Sequence, residues 1–140
     1  MIVCTNLPPM PNLAQLLTSK SSTEYQRVFQ LCRDIANELG EVDGVYVVGG
    51  VVRDLILDRE PGDIDLSVVG DAKVFAETLA NRMGASNLVE SQFLTYKIVI
   101  KNLDGLSEID VVNARSETYA GPAALPDITP GSIDDDLKRR

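Results

Sequence analysis

The stretch from Gly44 to Gly70 constrains this chain more than any other. It reads Gly44-Val-Tyr-Val-Val-Gly-Gly-Val-Val-Arg-Asp, a short linker, then Gly62-Asp-Ile-Asp-Leu-Ser-Val-Val-Gly70. Val45 to Val48 is an unbroken β-branched and aromatic run, the composition of a buried strand. Gly49 and Gly50 permit a sharp turn and let the backbone approach a ligand with no Cβ in the way. A helix starting over Val51 to Leu57 then leaves free backbone N–H groups just after the glycines, a setting suited to phosphate. A second strand follows. Side chains alternate along a strand, so Asp63 and Asp65 share one face while Ile64, Leu66 and Val68 share the other.

Two carboxylates beside a phosphate-binding turn can hold divalent ions. Mg²⁺ takes oxygen ligands and commonly bridges a few carboxylates to substrate phosphates. That pattern points to an in-line phosphoryl or nucleotidyl displacement. Each half alone is commonplace: a glycine pair before a helix is mostly a tight turn, and Asp-Ile-Asp is mostly a solvated strand edge. Their order and separation point to the chemistry.

A third acid is within range. Leu94 to Lys101 alternates as a half-buried strand, Asn102-Leu-Asp-Gly105 is a hairpin turn, and Glu108 to Ala114 pairs back antiparallel. Glu108 and Asp110 share a face of that strand, and spacing alone does not choose between them. The expected fold is α+β: a mixed sheet of about five strands with helices mainly on one face.

The remaining segments fit one such domain. Residues 1–20 carry Pro8, Pro9 and Pro11 and read as an irregular extension with one apolar turn near Leu13 to Leu17. The domain proper is 21–140. Ser21 and Glu24 form a capping box for a helix reaching Leu39, with apolar positions Tyr25, Val28, Phe29, Cys32, Ile35, Ala36 and Leu39 facing the core. Asp71 caps another helix, with Val74, Phe75, Thr78, Leu79 and Met83 as its apolar face and Gly84 as its stop. Ser116 to Gly131, broken by Gly121, Pro122, Pro126 and Pro130, shows no periodicity and reads as a long, weakly ordered loop. Ser132 with Asp135 opens a last helix. That helix is only a few residues in at Arg140, so the chain is expected to be a piece of a longer enzyme.

Composition excludes several classes. Thirteen Lys and Arg against twenty-one Asp and Glu give a net charge of −8, which argues against a broad nucleic-acid-binding surface on this piece. There is no His, and Cys4 and Cys32 fit no metal spacing. They read as small, reduced, apolar residues of a cytoplasmic protein. No apolar run approaches the length of a membrane span.

Four motifs in order carry a resemblance. They are Gly49-Gly50-Val51-Val52-Arg53-Asp54, Asp63-Ile64-Asp65, Asp110-Val-Val-Asn-Ala-Arg115-Ser-Glu117-Thr-Tyr, and Asp134-Asp-Asp-Leu-Lys-Arg-Arg140. Together they resemble the head domain of the bacterial-type (class II) tRNA nucleotidyltransferases, which include CCA-adding enzymes and bacterial poly(A) polymerases. The resemblance covers about Val45 to Arg140. It implies template-independent transfer of CMP and AMP from CTP and ATP to tRNA 3′ ends, with Mg²⁺ held by Asp63 and Asp65. It also selects Asp110 as the third acid, because that acid stands five residues before an Arg-x-Glu, here Arg115-Ser-Glu117. Gly49, Gly50 and Arg53 would meet the triphosphate. Arg140 matches the second Arg of an Arg-Arg-Asp motif, which implies nucleotide contact; the motif's Asp is not in this chain. A salt bridge to Asp54 is an equally available role for Arg53. Poly(A) synthesis, A-only addition and CC-only addition share this head, and RNA would be bound mainly by segments outside this chain. From another class, a non-catalytic nucleotide-binding module remains, but three convergent acids argue against it.

Overall fold

The computed structural model describes residues 12–19, 23–59, 62–101 and 106–140. Strands β1 (Val42–Val48), β2 (Ile64–Gly70), β3 (Asn87–Ser91), β4 (Thr95–Val99) and β5 (Glu108–Asn113) form one sheet in the order β1-β2-β5-β4-β3. β2 and β5 run parallel and every other neighbouring pair antiparallel, so the sheet is mixed as expected.

Alternation divides that sheet into two unlike faces. Ile64, Leu66 and Val68 of β2, Ile109 and Val111 of β5, and Tyr96 and Ile98 of β4 are buried on one side. Helix α2 (Thr23–Glu38) lays Tyr25, Val28, Cys32 and Ile35 on this core, and α4 (Ala72–Met83) adds Phe75, Ala76 and Leu79. Burying each such large side chain is worth about 1.5–3 kcal/mol. Burial also pushes the Cys32 thiol up to about 12, which leaves it an inert core residue. The other face carries Asp65, Ser67, Asp110 and Lys97, and only part of it is covered.

Local signals fix the helix ends. Asp71 accepts a hydrogen bond from the Val74 N–H at 3.0 Å, and Gly84 ends α4 in the left-handed region at φ 62°. The face that α4 buries differs from the expected one: Ala72, Phe75, Ala76, Leu79 and Ala80 are inside, while Val74 and Thr78 are only half-buried. Small alanines let the helix approach the sheet closely, and Thr78 turns its hydroxyl to the Val74 carbonyl at 2.8 Å. Helix α3 (Gly50–Ile56) follows β1 directly. The Tyr25 hydroxyl donates to the Gly62 carbonyl and ties the linker before β2 to the core.

Four expectations need correction or restriction. Leu13–Ser19, assigned to an irregular extension, is a short helix α1 whose Leu16 and Leu17 pack against the core. Strand β3 has no counterpart in the sequence reading. It is an edge strand with Leu88 alone half-buried, so it carries no apolar alternation to read. Ser116 to Gly131 is not one loop: β6 (Arg115–Tyr119) and β7 (Pro126–Pro130) pair antiparallel as a separate two-stranded sheet. Its prolines stand at the two ends of β7, where a missing N–H donor disturbs the ladder least. Ser21 and the turn Asn102–Gly105 lie outside the described residues, but β4 and β5 pair in the register that such a hairpin requires, and the Ile100 N–H donates to the Ser107 carbonyl at 2.9 Å. The last helix, α5 (Ile133–Arg139), opens with the expected capping box between Ser132 and Asp135.

Candidate active site

The glycine turn is built against the first strand pair. Val48 of β1 pairs with Asp65 of β2, so Gly49 leaves the sheet beside the Asp65 side chain. Gly49 has φ 69° and ψ −135°, and a Cβ placed on it would stand 2.8 Å from Asp65 Oδ2. Both facts demand glycine. No side chain caps the start of α3, so its first turn presents bare N–H groups next to the carboxylate.

Register then chooses among the acids. Asp65 and Asp110 are direct partners on the parallel strands β2 and β5. Lys97 is the partner of Asp110 on the other side, from β4. Its ammonium lies 2.6 Å from Glu108 Oε2 and 3.5 Å from Asp110 Oδ1. Glu108 is therefore held by Lys97, and Asp110 is the acid that stands beside Asp65. Burial raises the Asp110 carboxyl above the usual carboxylate range; the charges of Asp65 and Glu108 add to this, and Lys97 opposes it. Asp110 Oδ1 is buried, and the Lys97 ammonium at 3.5 Å is its partner.

Asp63 stands two residues before Asp65, ahead of the strand itself. It lies exposed in the bend before β2, and its Oδ1 accepts from the Ser107 hydroxyl at 3.2 Å. Among the described residues, no three acids are close enough to hold a metal ion together. Two carboxylates are nevertheless enough for an ion that keeps waters and takes its remaining oxygens from substrate phosphates. The paired carboxylates of Asp65 and Asp110, on adjacent strands, suit a hard cation.

The residues read as nucleotide-binding meet next door. Gly49, Arg53 and Arg140 line one open cleft of about 590 Å³, with Ile56, Leu57 and Leu137 among its apolar walls. Gly50 opens α3 below Arg53, whose Nη2 would be 3.5 Å from a Cβ at that position. The exposed Arg53 guanidinium is paired with Asp54 at 2.9 Å, so it both makes the salt bridge and borders the cleft. The Asp65 and Asp110 pair lies outside this lining and is joined to it through Gly49.

One part of the site went unread in the sequence. Asp136 of α5 has no solvent exposure. Its Oδ2 accepts from Ser67 Oγ at 3.0 Å and from Arg140 Nε at 2.9 Å, while Oδ1 accepts from Arg139. Arg139 also reaches Glu117 of β6 at 3.5 Å, and Glu117 is held by Arg115 and the Tyr119 hydroxyl. A signal existed: Asp136 and Arg140 stand four apart on a helix, and Ser67 stands two after Asp65 on a strand.

This sheet, with a glycine turn packed on an acid of its second strand, defines a nucleotidyltransferase-type head. Residues 45–140 match the poly A polymerase head domain, and the chain belongs to that family. The A-adding tRNA nucleotidyltransferase of Geobacter sulfurreducens is 45% identical over 111 residues, covering 79% of this chain and 12% of that protein. A CCA-adding enzyme in an apo form superimposes with a TM-score of 0.78 at 34% identity, covering 93% of this chain and 30% of the other. A complex of a CCA-adding enzyme with ATP gives 0.63 at 36% identity, covering 75% of this chain and 24% of that one. The chain thus spans under a third of each of these proteins. Among the described residues, no helix is long and apolar enough to cross a membrane.

Proposed function

We propose that this chain is the catalytic head of a template-independent RNA nucleotidyltransferase, adding CMP and AMP from CTP and ATP to tRNA 3′ ends in the cytoplasm. The observation that carries the reading is the pairing of Asp65 with Asp110 on adjacent strands, with the Gly49 turn against Asp65 opening into a cleft bordered by two arginines. Asp63 and Asp65 are the Mg²⁺ ligands of this reading, and a bound Mg²⁺ would neutralise phosphate charge and lower the pKa of the attacking hydroxyl. Asp110 orients the RNA 3′-hydroxyl beside them. Gly49 and Gly50 let the backbone approach the triphosphate, and the bare N–H groups of α3 face it. Arg53 and Arg140 supply planar, always-charged donors for phosphate or sugar oxygens. Asp110 held beside Asp65 disfavours a purely binding module, which has no use for two like charges set side by side on adjacent strands. The runner-up is A-only addition, the activity named for the Geobacter relative.

The test uses tRNA lacking its 3′ end, Mg²⁺ and labelled ATP or CTP, with the protein that carries this head. Asp65→Ala or Asp110→Ala is expected to abolish incorporation and leave the circular dichroism spectrum unchanged. A variant keeping a tenth of the wild-type rate has lost only about 1.4 kcal/mol of barrier, and that overturns the assignment. Incorporation from ATP but never from CTP selects the runner-up.

A further inference from the structure

A carboxylate removed from water is costly unless its lone pairs are filled by donors. Asp136 meets that condition with donors from two directions: Ser67 on β2, and the two arginines that follow it on α5. The arginines are not equivalent. Arg139 runs from Asp136 Oδ1, 2.7 Å from its Nη2, to Glu117 on the hairpin, so it joins two acids inside the structure. Arg140 gives its Nε to Asp136 Oδ2 and borders the cleft with Gly49 and Arg53. Holding a long side chain at Nε removes rotamers that it would otherwise lose on meeting a ligand.

We propose that Asp136 is a positioning residue that sets Arg140 at the wall of the nucleotide cleft, with Ser67 fixing Asp136 to the strand that carries Asp65. Arg139 is then the structural arginine and Arg140 the ligand-facing one. One strand, β2, presents the metal-site acid and, two residues on, anchors the cationic wall of the neighbouring cleft. The inference rests on reading that cleft as the nucleotide site.

The experiment is an ATP titration of the 140-residue chain with Arg140→Ala, Asp136→Asn and the double variant, after thermal melts show each to be folded. Each single change is expected to weaken ATP binding about tenfold, the usual scale for a hydrogen bond to a charged group. The double variant is expected to be no worse than about tenfold, because both changes remove one device. Effects that multiply to about a hundredfold overturn the proposal, as does an Asp136→Asn chain binding like wild type while Arg140→Ala is weakened. If Arg140→Ala binds ATP normally, the cleft is not the nucleotide site, and that reading and this one fall together. Should Asp136→Asn fail to fold, the unaltered chain still answers by nitrogen-15 NMR. Its Arg140 Nε–H is expected to exchange slowly with water, and exchange as fast as in urea overturns the proposal.

Discussion

Gly49 answers to two demands: its backbone lies at φ 69°, and the space where a Cβ would stand is taken by Asp65 Oδ2. Gly49→Ala is expected to cost about 1–3 kcal/mol, read as a lower urea midpoint, because a left-handed alanine is strained and the carboxylate must move. An unchanged midpoint contradicts this account of the turn. Asp110 presents the opposite case. Folding disfavours its charged form, first through burial and then through Asp65 and Glu108, with Lys97 compensating in part. Asp110→Asn is therefore expected to leave the urea midpoint unchanged or slightly raised while abolishing nucleotide addition, the exchange common at functional sites. Urea melts beside an incorporation assay check both halves. Gly49 and Asp65 were legible in the sequence because strand alternation and a glycine before a helix translate directly into geometry, whereas alternation gave Glu108 and Asp110 the same face and only the resemblance chose between them. The hydrogen bond that Asp63 accepts was not legible, since its donor, Ser107, is distant in the chain and no local pattern announces it.

At the scale of elements, α5 is seated on β2 by Asp136, and that seat depends on pH. Burial is the strongest single influence on this carboxyl and pushes it up, but hydrogen bonds from Arg140, Arg139 and Ser67 together outweigh it and leave it below the usual range. An acid with a lower pKa folded than unfolded contributes stability above its unfolded value of about 3.9 and loses it as pH falls through the folded value. Docking of α5 is thus expected to hold at neutral pH and to weaken progressively as pH falls below about 4. Amide exchange across Ile133–Arg139 at a series of pH values measures it, and protection that persists unchanged to pH 3 counts against the seat. Elements carried by an apolar period were legible: α2, β2 and β4 bury the residues that their periodicity marks. The β6–β7 hairpin was not. It pairs through backbone, bears polar Ser116, Glu117 and Thr118, and is stitched by the Arg115–Glu117–Arg139 bridges, so neither period nor composition separates it from a loop.

At the scale of the molecule, many of the charges are already engaged with one another. The chain carries thirteen cationic side chains and a net charge of −8. At least seven of the thirteen make ion pairs within the fold: Arg53, Lys73, Arg82, Lys97, Arg115, Arg139 and Arg140. Binding a polyanion requires cations that can replace the counterions along its phosphates, and each phosphate contact adds about 0.9 to the salt slope on a duplex. Here a tRNA meets a surface on which more than half of the cations are already paired, and its own charge is repelled by the acids around Asp65 and Asp110. The relatives that share this head are longer, and the chain covers 12% of the Geobacter protein. The 140-residue chain by itself is therefore expected to bind ATP weakly, to form no tRNA complex in a gel-shift assay at about 0.15 M salt, and to extend tRNA barely, if at all. Titrating labelled tRNA at several salt concentrations, beside an extension assay with labelled ATP, tests all of this on one preparation. A tight complex whose affinity falls steeply with salt would reveal a cationic face that the described residues do not form. Extension at a rate comparable to that of a longer relative would make this head alone sufficient for the reaction.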